Sequence, residues 1–108
     1  MEPAFAHQVE RELARIFDEL GLPWEYEPTT FVLERDADGR VTEAFTPDFY
    51  LPEQDIYVEC TTMRQKLTAR KNRKLRKLRE QGVLVTVLYR RDFERLRERH
   101  GFPFDVAA

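Results

Sequence analysis

Thr46-Pro47-Asp48-Phe49-Tyr50-Leu51, then Pro52-Glu53-Gln54-Asp55, then Ile56-Tyr57-Val58-Glu59-Cys60-Thr61-Thr62 is the stretch around which this 108-residue chain is organised. Two apolar, β-prone runs flank a set of turn-forming residues. Side chains alternate faces along a strand. Ile56, Val58 and Cys60 therefore share one face, and Tyr57, Glu59 and Thr61 the other. Each run carries one acid, Asp48 in the first and Glu59 in the second. A lone acid inside a β-run is costly to bury unless it is paired or bound to a cation. Two such acids on successive strands point to a metal site more than to a fold device.

On the N-terminal side, Phe5, Val9, Leu13, Ile16, Phe17 and Leu20 recur at steps of three and four. That spacing predicts an amphipathic helix from Ala4 to Leu20, stopped by Gly21 and Pro23. Glu10 and Glu12 fall on opposite borders of its apolar stripe, where either can look into a cleft. Most of Glu2, Glu12, Asp18 and Glu19 are expected to be solvated helix acids. Trp24 to Pro28 reads as a short extended segment. Phe31 to Arg35 reads as a strand, Asp36-Ala37-Asp38-Gly39 as a hairpin turn, and Val41 to Leu51 as the second strand, bent or at an edge at Pro47. Ile56 to Thr62 is the third, and three antiparallel strands in a row imply a meander.

On the C-terminal side a helix is expected from Thr68, its N-cap, to Gln81, closed by Gly82, with Leu75 and Leu78 inward. Val83 to Tyr89 is the most apolar run and reads as a buried strand. Asp92 to His100 reads as a last helix, with Phe93 and Leu96 inward and Arg95, Arg97 and Arg99 outward. Phe102 and Phe104 are expected to pack back onto the body. The order α-β-β-β-α-β with a terminal helix is α+β, one central sheet with helices against it. At 108 residues it is expected to form a single domain, residues 1–108.

Apolar residues make up 42% of the chain and charged residues 35%. No apolar run is long enough for a transmembrane helix, and the N-terminus has no basic-then-apolar signal segment. A single cysteine excludes an internal disulfide, which makes the reducing cytoplasm the default compartment. The net charge of −2 hides an asymmetry. Residues 1–60 hold four basic and fifteen acidic side chains, residues 61–108 fourteen basic and five acidic. From Arg64 to Arg79 there are nine Lys and Arg and no acid. A helix so charged repels itself without a polyanion or an acidic neighbour. Phosphate backbones attract such surfaces, which makes Arg64, Lys66, Arg70, Lys74 and Lys77 candidate nucleic-acid contacts. The competing reading is a solvated helix paired with the acidic half. His7 and His100 lack metal spacing. No glycine-rich phosphate loop, Cys/His zinc pattern or Ser-His-Asp arrangement is present. Cys60 points opposite to Glu59 and reads as a small buried hydrophobe.

Pro47-Asp48, the eleven positions from Asp48 to Glu59 and the Glu59-x-Thr61 ending resemble the PD-(D/E)xK nuclease motif. The element order resembles the restriction-endonuclease-like αβββαβ core of that superfamily, a mixed central sheet flanked by helices, here with an extra C-terminal helix. The resemblance covers roughly residues 4 to 89. It implies that Asp48 and Glu59 bind Mg²⁺ or Mn²⁺, with the Cys60 backbone carbonyl as a further ligand, and that a lysine assists. It also favours Glu10, in Glu10-x-x-Leu13-Ala14, as a site residue on the first helix.

This chain departs from the motif at Thr61, where the resemblance places the strand lysine. A threonine exchanges hydrogen bonds but carries no charge, so its role here is supporting. The candidates for the missing cation are Lys66, Lys71, Lys74 and Lys77. Lys71 lies four residues before Leu75 and seven before Leu78, at the centre of the inward stripe. Lys74 and Lys77 fall on its flanks, and Lys66 precedes the helix. Lys71 is therefore favoured, either paired with the strand acids or snorkelling to water.

The expected activity is metal-dependent endonuclease or phosphodiesterase chemistry on nucleic acid, DNA in preference to RNA. The alternative, which Thr61 supports, is a catalytically inactive nuclease-like domain that binds nucleic acid or a partner protein. A third is an interaction domain whose acidic and basic halves drive self-association. So small a domain has little surface for sequence recognition, and a homodimer or a partner domain would supply more.

Overall fold

The computed structural model describes residues 3–61 and 69–100. Its elements are α1 (Gln8–Glu19), β1 (Glu25–Tyr26), β2 (Phe31–Arg35), β3 (Val41–Phe45), β4 (Phe49–Leu51), β5 (Ile56–Thr61), α2 (Ala69–Glu80), β6 (Val85–Tyr89) and α3 (Arg90–His100). The class is α+β. A mixed four-stranded sheet runs β1-β4-β5-β6, antiparallel except for the parallel pair β5-β6. β2 and β3 form a separate antiparallel hairpin with register irregularities at Glu34. Thr68, Phe102 and Phe104 lie outside the described residues, as do the side chains of Phe93, Leu96 and Arg97.

The sheet separates two apolar clusters because β5 alternates. Val58 and Cys60 join Phe49, Leu51 and the α1 residues Val9, Leu13, Ile16 and Phe17 on one face. Tyr57 joins Val85, Val87 and the α2 residues Leu75 and Leu78 on the other, where Phe31, Leu33 and Phe45 of the hairpin also pack. Phe49 is fully buried, in tilted or edge-on contact with Phe5, Phe17, Trp24 and Tyr26. Burying a ring of this size contributes roughly 3 kcal/mol, and it fixes the backbone immediately after Asp48.

Both long helices end as their glycines indicate. Gly21 has φ 71° and Gly82 φ 86°, a left-handed conformation that costs glycine little. The following residues close the helix, Leu22 N–H donating to Phe17 O and Val83 N–H to Leu78 O. α1 starts later than expected, at Gln8 instead of Ala4. His7 provides no side-chain cap, and Glu10 instead reaches back to accept the Ala6 N–H at 3.2 Å.

Two expectations are corrected. Val41 to Leu51 is not one strand, and the strands do not form a single meander. The ladder with β2 ends at Phe45. Pro47, which has no N–H for a ladder, is buried at the break, and the chain passes into the other sheet as β4. The outer partner of β4 is then β1, inside the segment read only as extended. Glu12, expected in solvent, is 2% exposed. α3 packs against α1, a tertiary contact that a helical periodicity does not reveal. Among the described residues no helix is long and apolar enough to cross a membrane.

Candidate active site

The chain break that splits the two sheets also aims Asp48. Its backbone N–H donates to Glu59 Oε1 at 3.1 Å, and its backbone carbonyl accepts the Glu27 N–H at 2.8 Å. Its Oδ2 accepts the Cys60 N–H at 2.8 Å. β4 and β5 are hydrogen-bonded neighbours with Phe49 opposite Val58, so Asp48 and Glu59 lie side by side at one end of the pair. The two acids converge, and both are buried, at 9% and 6% exposure.

Lys71 completes the group. Its Nζ lies 2.6 Å from Glu59 Oε2. The other described candidates turn elsewhere. Lys74 donates to Ala44 O at 3.1 Å, and Lys77 pairs with Glu34 and, at 2.8 Å, with Glu43. The helical register explains the division: Lys71 lies one turn nearer the helix N-terminus, over the end of β5, whereas Lys74 and Lys77 lie over the hairpin. Lys66 and Arg64 lie outside the described residues. Arg70 is exposed in the first turn of α2.

Burial dominates the electrostatics. It pushes the Asp48 carboxyl up to about 8, helped by the charges of Glu59 and Glu10 and opposed by the Cys60 N–H and Lys71. Burial raises Glu59 as well, and Lys71 chiefly opposes it. Two buried acids this close do not both ionise readily without a cation. Glu10, 3% exposed, accepts the Tyr26 hydroxyl at 2.7 Å. It is close enough to Asp48 and Cys60 to raise both electrostatically. Tyr26, raised by burial and then by this bond, stays a donor. Burial holds the Cys60 thiol well above its ordinary range, and its side chain lies in the α1 cluster. Thiolate chemistry is therefore disfavoured there.

Thr61 follows Glu59 on the same face, and among the described residues its buried Oγ1 has no hydrogen-bond partner. Among the described residues no three His, Cys, Asp or Glu side chains gather as a metal-holding group. The set is instead two carboxylates with an orphaned hydroxyl beside them. That suits Mg²⁺, which commonly takes one or two carboxylates and keeps several waters.

Sequence reasoning missed Glu43. This β3 acid is 8% exposed and pairs with Arg73 and Lys77, each at 2.8 Å. The usable signal was the one that marked Asp48 and Glu59, an acid within a β-run. Hydrogen bonds from Lys77 and Arg73 lower its carboxyl to about 2. Its stabilising effect is present above its ordinary value of 4.5 and is lost as pH falls towards 2. Glu43→Gln is expected to melt below wild type at neutral pH, with the gap closing through that acid window. Paired thermal melts across the window check this, and a gap independent of pH would contradict it.

The chain matches no protein-family model, no curated protein and no solved structure.

Proposed function

We propose that this protein is a metal-dependent nuclease of the PD-(D/E)xK kind, hydrolysing phosphodiester bonds of nucleic acid, DNA in preference to RNA. The observation that carries the reading is the convergence of Asp48 and Glu59 from adjacent strands, with Lys71 of the following helix 2.6 Å from Glu59. The element order supports it. Without the β2-β3 hairpin, the chain around the four-stranded sheet reads α1-β1-β4-β5-α2-β6, an αβββαβ order. In this reading the hairpin is an insertion after the first core strand.

Asp48 and Glu59, with the Cys60 carbonyl, would hold Mg²⁺ or Mn²⁺. When bound, that ion supplies charge neutralisation at the phosphate and a more acidic water. Lys71 orients the attacking water and stabilises the anionic transition state. Thr61 Oγ1 offers one hydrogen bond where the motif has a lysine. Glu10, held by Tyr26, adds negative charge behind Asp48 and orders water at the helix end. The apolar clusters on both faces of β5 keep the carboxylates at low dielectric, where fixed charges act more strongly.

The test is cleavage of labelled oligonucleotides with Mg²⁺ or with EDTA, by wild type and by Glu59→Ala. Cleavage by wild type alone, and only with metal, supports the proposal. Equal rates in the two proteins end it. Salt-sensitive binding by wild type with no cleavage in Mg²⁺ or Mn²⁺ selects the non-catalytic alternative.

A further inference from the structure

Next to Thr61 in the sheet lies a cation that the mechanism above does not use. β5 and β6 run parallel, with Glu59 opposite Val87 and Thr61 opposite Tyr89. Val87 packs with Tyr57 in the α2-side cluster. Tyr89, two residues further along β6, therefore presents its side chain on the face that carries Glu59 and Thr61. The Arg91 guanidinium carbon lies 5.2 Å from the centre of the Tyr89 ring.

Several observations indicate what this pair is for. Arg91 is exposed, and among the described residues no acid forms an ion pair with it. The ring holds the guanidinium by cation–π stacking, which leaves its in-plane N–H groups available for a planar or tetrahedral oxyanion. Arg91 also occupies the first turn of the 11-residue α3, the helix end where the macrodipole disfavours a cation. Asp92 shares that first turn, but its Oδ2 accepts the Tyr89 N–H and forms no ion pair with Arg91 among the described residues. A cation held on the ring of Tyr89, which is paired in register with Thr61 and its orphaned hydroxyl, describes a place for an anion. Tyr89 itself is fixed from behind, its N–H donating to Asp92 Oδ2 at 2.7 Å.

We propose that Arg91, held on the Tyr89 ring, contacts a backbone phosphate of a nucleic-acid strand lying across Asp48 and Glu59. The Tyr89–Arg91 pair thus sets how the strand lies across Asp48 and Glu59. This proposal rests on the nucleic-acid reading of the site, but it concerns strand binding and is separable from cleavage.

The experiment measures binding of a fluorescein-labelled oligonucleotide, single-stranded and duplex, with Ca²⁺ in place of Mg²⁺ across a salt series. Cleavage with Mg²⁺ is measured in parallel. Arg91→Gln is expected to weaken binding about tenfold and to lower the slope of log affinity against log salt by roughly 1, the loss of one phosphate contact. Tyr89→Leu is expected to weaken binding in the same direction, and Tyr89→Phe, which keeps the ring, to bind as wild type. Arg40→Gln, at the far end of the hairpin, removes one positive charge elsewhere and is expected to change little. The proposal is overturned if Arg91→Gln keeps wild-type affinity and slope, or if Arg40→Gln loses as much. Cleavage by wild type with no Arg91 effect leaves the nuclease reading standing and removes this one. Arg91-dependent binding with no cleavage does the reverse, and absence of binding removes both.

Discussion

Asp48→Asn is expected to abolish Mg²⁺-dependent cleavage and, in the same protein, to raise the melting temperature. The opposite signs follow from one cause, the burial of a carboxyl that has no counter-ion of its own. Asparagine keeps the shape. Its carbonyl oxygen can accept the Cys60 N–H that Asp48 Oδ2 now accepts at 2.8 Å, and its amide can donate to Glu59. Without the negative charge a divalent ion loses one of its two carboxylates, and cleavage is expected to fall on the order of 10³-fold or more.

For stability, the Asp48 carboxyl titrates at about 8 in the folded protein against an ordinary 3.8. The folded state therefore binds this proton more tightly than the unfolded chain, and folding loses stability as pH rises through that window. The loss is complete above about 8. Asparagine does not ionise, so in metal-free buffer at alkaline pH the variant is expected to melt above wild type by several degrees, on the order of the shift that 1–2 kcal/mol gives a domain of this size. At pH 5 most of the gain disappears. Thermal melts at the two pH values, without metal, decide it. A variant that melts below wild type at high pH would show that the carboxylate is not costly where it sits, and wild-type cleavage rates would remove Asp48 from the chemistry.

Lys71→Met is expected to lower the cleavage rate by about 10²- to 10³-fold while leaving binding of uncleaved oligonucleotide within a few-fold. Methionine keeps an unbranched apolar stem of similar length and removes the ammonium that lies 2.6 Å from Glu59. Proton uptake by the two acids limits the repulsion left behind. Lys74→Met serves as the comparison, since Lys74 bonds the Ala44 carbonyl and not the strand acids. Lys71→Arg keeps the charge in a wider head and is expected to recover part of the rate. Equal losses for Lys71→Met and Lys74→Met would mean that general charge on α2 matters and the position of the ammonium does not. Activity near wild type in Lys71→Met would place the working cation elsewhere.

Much of this was legible in the chain because the signals are local. Apolar spacing marked α1, and alternation put Glu59 and Cys60 on opposite faces of β5, where they are found. Glycine at positive φ ended both long helices. A count of helical steps singled out Lys71. The misses share a different origin. Glu12 borders the apolar stripe of α1, a place equally open to solvent or to a cleft from one helix alone, and it is buried. Glu43 gives no local sign of its role, since its partners Arg73 and Lys77 lie about thirty residues away. Those pairs and the bond from Lys74 also take part of the α2 charge into contact with the hairpin, as the solvated-helix reading of that segment allowed.

The sequence by itself determined where the helices and the longer strands fall, and it put Asp48 and Glu59 on apolar runs where water is scarce. Those properties depend on neighbours within a turn or two of the chain. Only the tertiary structure decided which strand pairs with which. A proline inside an apolar run is equally compatible with a bend in one sheet and with a passage into another, and the choice rests on β1 closing against β4 from more than twenty residues away. That passage turns Asp48 towards Glu59. The same long-range packing lays α2 across the end of β5, so that one lysine of several meets the acids and its neighbours do not.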